Sequence, residues 1–74
     1  MWIRSQNKRL LINTDVISVD DYCDYYVIRG GGYELGRYYS KEKALKVLSE
    51  IQNIKYLYHK AFEMPADDEV KENE

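Results

Sequence analysis

The residues of this sequence best suited to chemistry are arginines interleaved with tyrosines along strand-like segments. Guanidinium groups match phosphates and carboxylates, and aromatic rings stack on nucleobases. The sequence therefore predicts a site for a nucleotide-type small ligand, without catalysis. The residues that we assign to this site are Arg4, Arg9, Tyr26, Arg29, Tyr33, Arg37 and Tyr38. The alternative interpretation is that the arginines are solvent-facing strand residues that pair with Asp and Glu.

No residue pattern in the chain supports an enzyme. Cys23 and His59 are the only cysteine and the only histidine. The thiol lies beside Asp21 and Asp24, which is an unfavourable setting for a thiolate nucleophile. His59 falls at the end of a predicted helix, where an imidazole is ordinarily a surface group. We therefore predict no catalytic residue.

Two further patterns resemble ion or phosphate sites without meeting their requirements. The loose group of Asp15, Asp20, Asp21 and Asp24 lacks the fixed glycine and the terminal glutamate of a calcium loop. Glycines 30–32 lack the lysine of a phosphate-binding loop, and no helix follows them directly. One Cys and one His do not make a zinc site. We predict no metal and no cofactor, and we interpret the glycines as a hairpin loop.

The elements that must position these side chains are short strands followed by one helix. Runs of β-branched and aromatic residues predict the strands, which cover residues 2–5, 10–12, 16–19, 25–29 and 33–39. Gly36 indicates a bulge or a close backbone approach. Ser40 is a candidate N-cap for an amphipathic helix over residues 41–56. We expect an α+β fold, with an antiparallel meander of about five strands packed on this C-terminal helix.

The C-terminal part of the chain divides in two. Residues 62–65 (FEMP) are either an edge strand that Pro65 stops or a docking segment. Residues 66–74 contain five acidic residues and one basic residue, a composition that predicts disorder. The expected organisation is a single α+β domain over residues 1–65 and a disordered acidic tail over residues 66–74.

The predicted helix is too narrow to cover both faces of the sheet. Side chains of neighbouring strand residues point to opposite faces, and the chain has eight tyrosines. In the last two predicted strands, tyrosines occupy both odd and even positions. Some of them should therefore lie on the face away from the helix, unless a bulge at Gly36 reverses the alternation of side chains between the two faces. An exposed aromatic face is a binding surface or a subunit interface.

Length and charge limit the partners. A chain of 74 residues with one cysteine cannot form an internal disulfide, and domains of this size frequently rely on association. We therefore predict a homo-oligomer. The near balance of 11 basic and 13 acidic residues argues against nucleic acid. The sequence has no signal-peptide or membrane-spanning run, and a lone cysteine fits a reducing compartment. We expect a cytoplasmic protein without membrane association.

Four segments carry a resemblance to known proteins: residues 1–6 (MWIRSQ), 35–38 (LGRY), 41–52 (KEKALKVLSEIQ) and 62–65 (FEMP). Together they resemble small uncharacterised proteins of Gram-positive bacteria and their phages, over most of the chain except the glycine hairpin and the acidic tail. The resemblance implies a phage or mobile-element protein that acts against host defence in the bacterial cytoplasm. The expected function is sequestration of a nucleotide-type signalling ligand by an oligomer. The alternative is a protein–protein inhibitor or adaptor that blocks a host defence protein through the aromatic sheet face.

Overall fold

The computed structural model describes residues 1–54 and 61–71. Its strands are β1 (Trp2–Arg4), β2 (Leu11–Asn13), β3 (Ile17–Asp21), β4 (Tyr26–Gly30), β5 (Tyr33–Tyr38) and β6 (Phe62–Glu63), and its helices are α1 (Lys41–Ile54) and a short 3₁₀ helix (Asp67–Glu69). The α+β class, with about five strands followed by a helix that packs on them, is confirmed.

The strands form two three-stranded sheets, whereas the sequence predicted one meander. The sheet orders are β2-β1-β6 and β3-β4-β5, and the second sheet is antiparallel throughout. In the first sheet β1 and β2 pair antiparallel, and β2 ends at a turn in which Thr14 Oγ1 accepts a hydrogen bond from Val16 N. The free edge of β1 is taken by β6, which runs parallel to it and pairs Ile3 with Phe62. The edge-strand interpretation of the FEMP segment is therefore correct.

A bulge in β5 changes which residues enter the core. Gly31 and Gly32 have positive φ and form the hairpin loop between β4 and β5, as predicted. Farther along, Ile28 pairs with Gly36 while the next residue of β4 pairs with Glu34, which leaves Leu35 as the extra residue. The bulge reverses the alternation, so Leu35 and Tyr38 both enter the core although they are three positions apart.

Helix α1 begins where the sequence predicted. Ser40 Oγ accepts a hydrogen bond from Lys43 N at 3.1 Å, which is the geometry of an N-cap. Ala44, Val47 and Ile51 are buried and pack toward the β3–β4–β5 sheet. The described helix ends at Ile54, and predicted helical positions 55 and 56 lie outside the described residues.

The core lies between the helix and the inner faces of both sheets. The buried cluster consists of Ile3, Ile28, Leu35, Tyr38, Ala44, Val47, Ile51, Met64 and Val70. Strand residues alternate between faces, so each sheet keeps a second face that points away from this core.

Gln6 joins the two sheets through hydrogen bonds to three residues in two other parts of the chain. Its backbone N–H donates to Leu35 O at 2.7 Å. Its side-chain Oε1 accepts from Arg37 N, and its Nε2 donates to Arg37 O and to Pro65 O, each at 3.1 Å. The hydroxyl of Tyr38 also donates to Pro65 O, at 2.7 Å. The MWIRSQ, LGRY and FEMP segments therefore meet at one junction, which we call the Gln6 junction.

Gly36 lies in a tight space at the Gln6 junction. A Cβ there would lie 3.0 Å from the ring of Tyr38 and 3.1 Å from Cε of Met64. Of the two expectations for Gly36, the bulge is correct, with Leu35 beside it as the extra residue. The expected close approach of another backbone is not found, because the nearest atoms belong to side chains of the LGRY and FEMP segments. A larger residue would overpack this contact.

The acidic tail, expected to be disordered, departs from that expectation over residues 66–71. Val70 is 7% exposed and belongs to the core. Asp67 accepts hydrogen bonds from Tyr39 N at 2.9 Å and Lys43 Nζ at 3.1 Å, beside the N-terminus of α1. One apolar anchor and one carboxylate at a helix start thus hold a segment whose composition alone predicts disorder. Residues 72–74 lie outside the described residues.

Candidate functional site

The outer face of the β3–β4–β5 sheet, on the side away from α1, carries most of the polar strand residues. The cross-strand pairs Asp20 with Val27, Val27 with Arg37, and Arg29 with Glu34 all belong to this face. They alternate with core residues such as Ile28, which places them away from the helix. The sheet thus brings two arginines and two carboxylates onto one surface.

The turn between β3 and β4 adds tyrosines to this surface. Tyr22 N donates to Tyr25 O at 2.9 Å and closes the turn. The two rings stack with centroids 5.1 Å apart and an interplanar angle of 24°. Tyr39, directly after β5, meets the Tyr25 ring edge-on at a centroid distance of 6.5 Å. We call the surface formed by Tyr22, Tyr25, Arg29, Arg37 and Tyr39 the tyrosine–arginine face.

Arg37 is held in place by a ring and a carboxylate. Its Cζ lies 4.2 Å from the centroid of the Tyr25 ring, within the range of a cation–π contact. Its Nε lies 3.3 Å from Oε2 of Glu34. The hydrogen bond to Glu34 raises the pKa of the guanidinium above its usual value. Arg37 therefore stays cationic while it covers an aromatic ring.

Arg29 is held in the same manner on the neighbouring strand. Its Nη2 donates to the Tyr22 hydroxyl at 3.1 Å, and its Nε donates to Asp20 Oδ2 at 2.9 Å. The bond to Tyr22, followed by the contacts with Asp20, raises the pKa of Arg29. Each arginine of the face thus has one carboxylate and one tyrosine as neighbours.

Val27 is buried beneath the side chains of the tyrosine–arginine face. Val27 is 1% exposed although it points away from α1, and it stands apart from the main core cluster. Its neighbours on the adjacent strands are Asp20 and Arg37. The long side chains of the face therefore shield Val27, as a second, smaller layer on the outside of the sheet.

The seven residues assigned to a ligand site from the sequence do not meet in one chain. Arg29 and Arg37 lie on the tyrosine–arginine face. Tyr26 is partly buried against the core, and Tyr38 is fully buried within it. Tyr33 is exposed beside the glycine hairpin.

The two remaining arginines belong to the other sheet. Arg4 lies in β1 and Arg9 in the loop before β2, and both are exposed.

Sequence reasoning missed Tyr22, Tyr25 and Tyr39 as site residues. The sequence did contain a signal for them: Tyr22 and Tyr25 flank the dipeptide Cys23-Asp24 between two predicted strands, and a tight turn of this length brings its two ends together. Tyr39 directly follows β5, so the alternation of side chains along a strand does not determine the face to which its side chain points.

The other sequence-derived candidates have simple positions. Cys23 is an exposed free thiol in the β3–β4 turn, and His59 lies outside the described residues. Over residues 1–54 and 61–71, no group of three or more His, Cys, Asp or Glu side chains is arranged to hold a metal ion. None of the described helices has the length and apolar character needed to cross a membrane.

Burial of the Tyr38 hydroxyl predicts a loss of stability at alkaline pH. Burial, followed by the negative charges of Asp67 and Glu50, raises the pKa of Tyr38 well above its usual range. The unfolded chain releases this proton near pH 10 while the folded chain retains it. The contribution of Tyr38 is therefore complete below about pH 10 and is lost as the pH rises toward the folded-state pKa.

The Tyr38→Phe variant isolates this effect. At pH 8 we expect it to be about 1 kcal/mol less stable than the wild type, because the bond to Pro65 O is lost. The difference should shrink as the pH passes about 10, since phenylalanine has no proton to release. Urea denaturation from pH 8 to pH 11 measures it, with the exposed Tyr33→Phe as control. A difference that is constant with pH would contradict the prediction.

No protein-family model, curated protein or solved structure matches this chain.

Proposed function

We propose that this protein is a non-catalytic binding protein whose tyrosine–arginine face docks on a partner protein. The observation that carries this proposal is a contiguous surface of three tyrosines and two arginines on a sheet face that the helix does not cover. Tyrosine and arginine are enriched among the residues that dominate protein–protein binding energies. Tyr39, the most exposed tyrosine of the face at 61%, is the natural anchor residue.

Preorganisation supports the same conclusion. Long side chains ordinarily lose rotamer freedom when a partner immobilises them. Arg29 and Arg37 are each held before binding by a carboxylate and a tyrosine. A partner that meets this face therefore has a smaller ordering cost to overcome.

The charge of the face favours a protein over an anionic ligand. Asp20 and Glu34 each lie within 3.3 Å of an arginine nitrogen, so the four charges sum to zero. A phosphate would meet guanidinium groups that are already engaged with carboxylates. A protein surface with apolar and hydrogen-bonding groups matches a neutral aromatic layer better.

The resemblance to phage-associated proteins directs the choice of partner. Within this proposal the partner is a host protein, and a defence protein is the first class to test. In this role the chain acts as an inhibitor or adaptor in the cytoplasm of a bacterial host.

A matched pair of tyrosine variants tests the proposal. Tyr39 belongs to the face and is 61% exposed, whereas Tyr33 lies at the hairpin and is 56% exposed. We expect Tyr39→Ala to weaken binding to a protein recovered stoichiometrically from host lysate at least about tenfold, the size of a typical hot-spot loss. Tyr33→Ala should retain the affinity. The measurement is biolayer interferometry with the purified partner, and equal losses in both variants would contradict the proposal.

Sequestration of a nucleotide-type signal is the second candidate function. One observation favours it, since Arg37 and three tyrosine rings offer a cation beside stacking surfaces. Calorimetry with cyclic nucleotides and ADP-ribose derivatives tests it. Binding heat that Arg37→Ala abolishes would favour this function, and the absence of heat across the panel would exclude it.

A further inference from the structure

The two edges of the β3–β4–β5 sheet differ in how their backbone groups are bonded. In an antiparallel pair, alternate residues direct both N–H and C=O to the neighbouring strand, and the residues between them direct both groups away. In β5, Arg37 directs its N–H and its C=O away from β4, and both bond to the Gln6 side chain. The chain itself therefore covers this edge.

The hydrogen-bonding phase of β3 follows from the turn that joins it to β4. Tyr22 N donates to Tyr25 O, so positions 22 and 25 are a hydrogen-bonded pair. Bonded and non-bonded pairs alternate along an antiparallel ladder. Counting back along the register, Asp20 and Ser18 bond to β4, while the other residues of β3 direct their backbone groups to the free edge.

The free edge of β3 consists of Ile17, Val19 and Asp21. Each has an N–H and a C=O that point away from β4, and these groups form no backbone hydrogen bond within residues 1–54 and 61–71. A row of unpaired backbone groups is a template for a further strand. Within the described residues, the sheet is thus closed at β5 and open at β3.

We infer that β3 pairs antiparallel with β3 of a second copy of this chain, around a two-fold axis at Val19. In this register Val19 stands opposite its own counterpart, and Ile17 stands opposite Asp21 of the second copy. Every outward N–H then meets an outward C=O on the other strand. A shift by one residue sets outward groups against residues bonded to β4, and a shift by two leaves an end residue unpaired. The outward groups therefore select one register.

The side chains of β3 are compatible with this register. Charges on an edge strand ordinarily discourage pairing, but here no carboxylate stands opposite another. Asp20 already pairs with Arg29 at 2.9 Å, and it stands opposite the exposed Ser18 of the second copy, whose hydroxyl is a donor. On the inner face Val19, which packs against the core cluster, meets its counterpart and continues the apolar layer.

The dimer joins two three-stranded sheets edge to edge into one continuous sheet. Residues that stand opposite each other in an antiparallel pair point to the same face, so both tyrosine–arginine faces lie on one side and both α1 helices on the other. A strand of five residues forms a small interface, and such complexes are weak and dissociate on dilution. A partner of this face would meet two adjoining copies of it.

Proline at an outward position tests the edge without breaking the pairing of β3 with β4. Asp21→Pro removes an N–H that does not bond to β4 and places the ring between the two copies. Asp21→Ala is the matched control, because it removes the same carboxylate and keeps the amide. We expect Asp21→Pro to dimerise at least about tenfold more weakly than Asp21→Ala. Sedimentation velocity over a concentration series measures this, and circular dichroism melts verify folding.

Paired cysteines test the register. Position 18 stands opposite position 20 of the second copy in a non-bonded pair, where Cα atoms lie about 4.5 Å apart and a disulfide can form. Two copies of position 18 are diagonal neighbours at roughly 7–8 Å, beyond that reach. All variants carry Cys23→Ser, because Cys23 is an exposed free thiol. We expect a mixture of Ser18→Cys and Asp20→Cys to cross-link at least about tenfold faster than either variant alone.

Two results would overturn the inference: a wild-type chain that is monomeric at the highest concentration, and equal cross-linking in the mixture and in the separate variants. Binding of a host protein by a monomer, abolished by Asp21→Pro, would assign the edge to a strand of that protein and would overturn it as well. Tyr39 follows β5, so Tyr39→Ala should leave the dimer intact. Dimerisation and binding at the tyrosine–arginine face can therefore fail independently.

Discussion

Replacing Gln6 with alanine is expected to lower the free energy of unfolding by about 2–3 kcal/mol. The Gln6 side chain forms three hydrogen bonds, one with Arg37 N, one with Arg37 O and one with Pro65 O. Alanine leaves both backbone groups of Arg37 without this partner, and each orphaned group costs about 1 kcal/mol or more. Pro65 O keeps the Tyr38 hydroxyl, so its loss is smaller.

The Gln52→Ala substitution is the matched control, because Gln52 is exposed on α1. We expect it to change the free energy of unfolding by less than about 0.5 kcal/mol. Gln6→Glu is a second, sharper variant, since it keeps an acceptor for Arg37 N but places a negative oxygen beside two carbonyl groups. Urea denaturation monitored by tyrosine fluorescence measures all three. Wild-type stability in Gln6→Glu would show that the donor bonds contribute nothing.

The Gln6 junction also gives a physical reason for the sequence motifs. From the sequence alone, MWIRSQ, LGRY and FEMP suggested no chemistry, and no catalytic role could be assigned to them. In the fold, these three segments supply the bonds and the close contact at Gly36 that join the two sheets. Packing and hydrogen bonding therefore explain the motif residues that meet at this junction, namely Gln6, Gly36, Tyr38, Met64 and Pro65.

Local signals predicted the parts of the fold that depend on neighbouring residues. The strands, the glycine hairpin and the Ser40 N-cap each follow from residues within a few positions of one another. The pairing of β1 with β6 and the Gln6 bonds to Arg37 and Pro65 join residues 31 and 59 positions apart. No local pattern encodes such contacts, so the division into two sheets was not predictable.

The candidate site was only half predictable for a related reason. Gly36 suggested a phase change in the fifth strand, but the extra residue proved to be Leu35. That single shift sends Tyr38 into the core, whereas in a regular strand Tyr38 would alternate with the core residue Leu35 and point to the outer face. Arg29 and Arg37 were identified because both lie on predicted strands, although Arg37 reaches the outer face only because of the Leu35 bulge. Tyr22 lies outside the predicted strands, and Tyr25 was included in the fourth of them but belongs to the turn before β4.

The C-terminal segment illustrates how average composition can mislead. Five acidic residues in positions 66–74 predicted disorder, although the same segment contains Val70 and an Asp67 that reaches the start of α1. One buried side chain and three hydrogen bonds hold residues 66–71 against the domain: Asp67 accepts from Tyr39 N and Lys43 Nζ, and Lys71 O accepts from Lys46 Nζ.

Substituting Val70 with aspartate is expected to lower the free energy of unfolding by about 2–4 kcal/mol. A charge cannot remain in the core without a partner, so the segment detaches and its docking energy is lost. That energy comprises the burial of Val70, which is 7% exposed, the bonds that Asp67 accepts from Tyr39 N and Lys43 Nζ, and the bond from Lys46 Nζ to Lys71 O. Chemical denaturation gives the total loss.

Hydrogen exchange at a single amide separates detachment from general destabilisation. Under native conditions the Tyr39 amide, which donates to Asp67, should exchange at least about tenfold faster in Val70→Asp. The exchange rates of the core amides of β4 should change only as much as the free energy of global unfolding changes. Val16→Asp is the control, because Val16 is an exposed valine outside the core. Equal stability and equal Tyr39 exchange in Val70→Asp and Val16→Asp would contradict the prediction. An aspartate at a buried position 70 must displace residues 66–71, so the absence of any effect would mean that these residues do not dock.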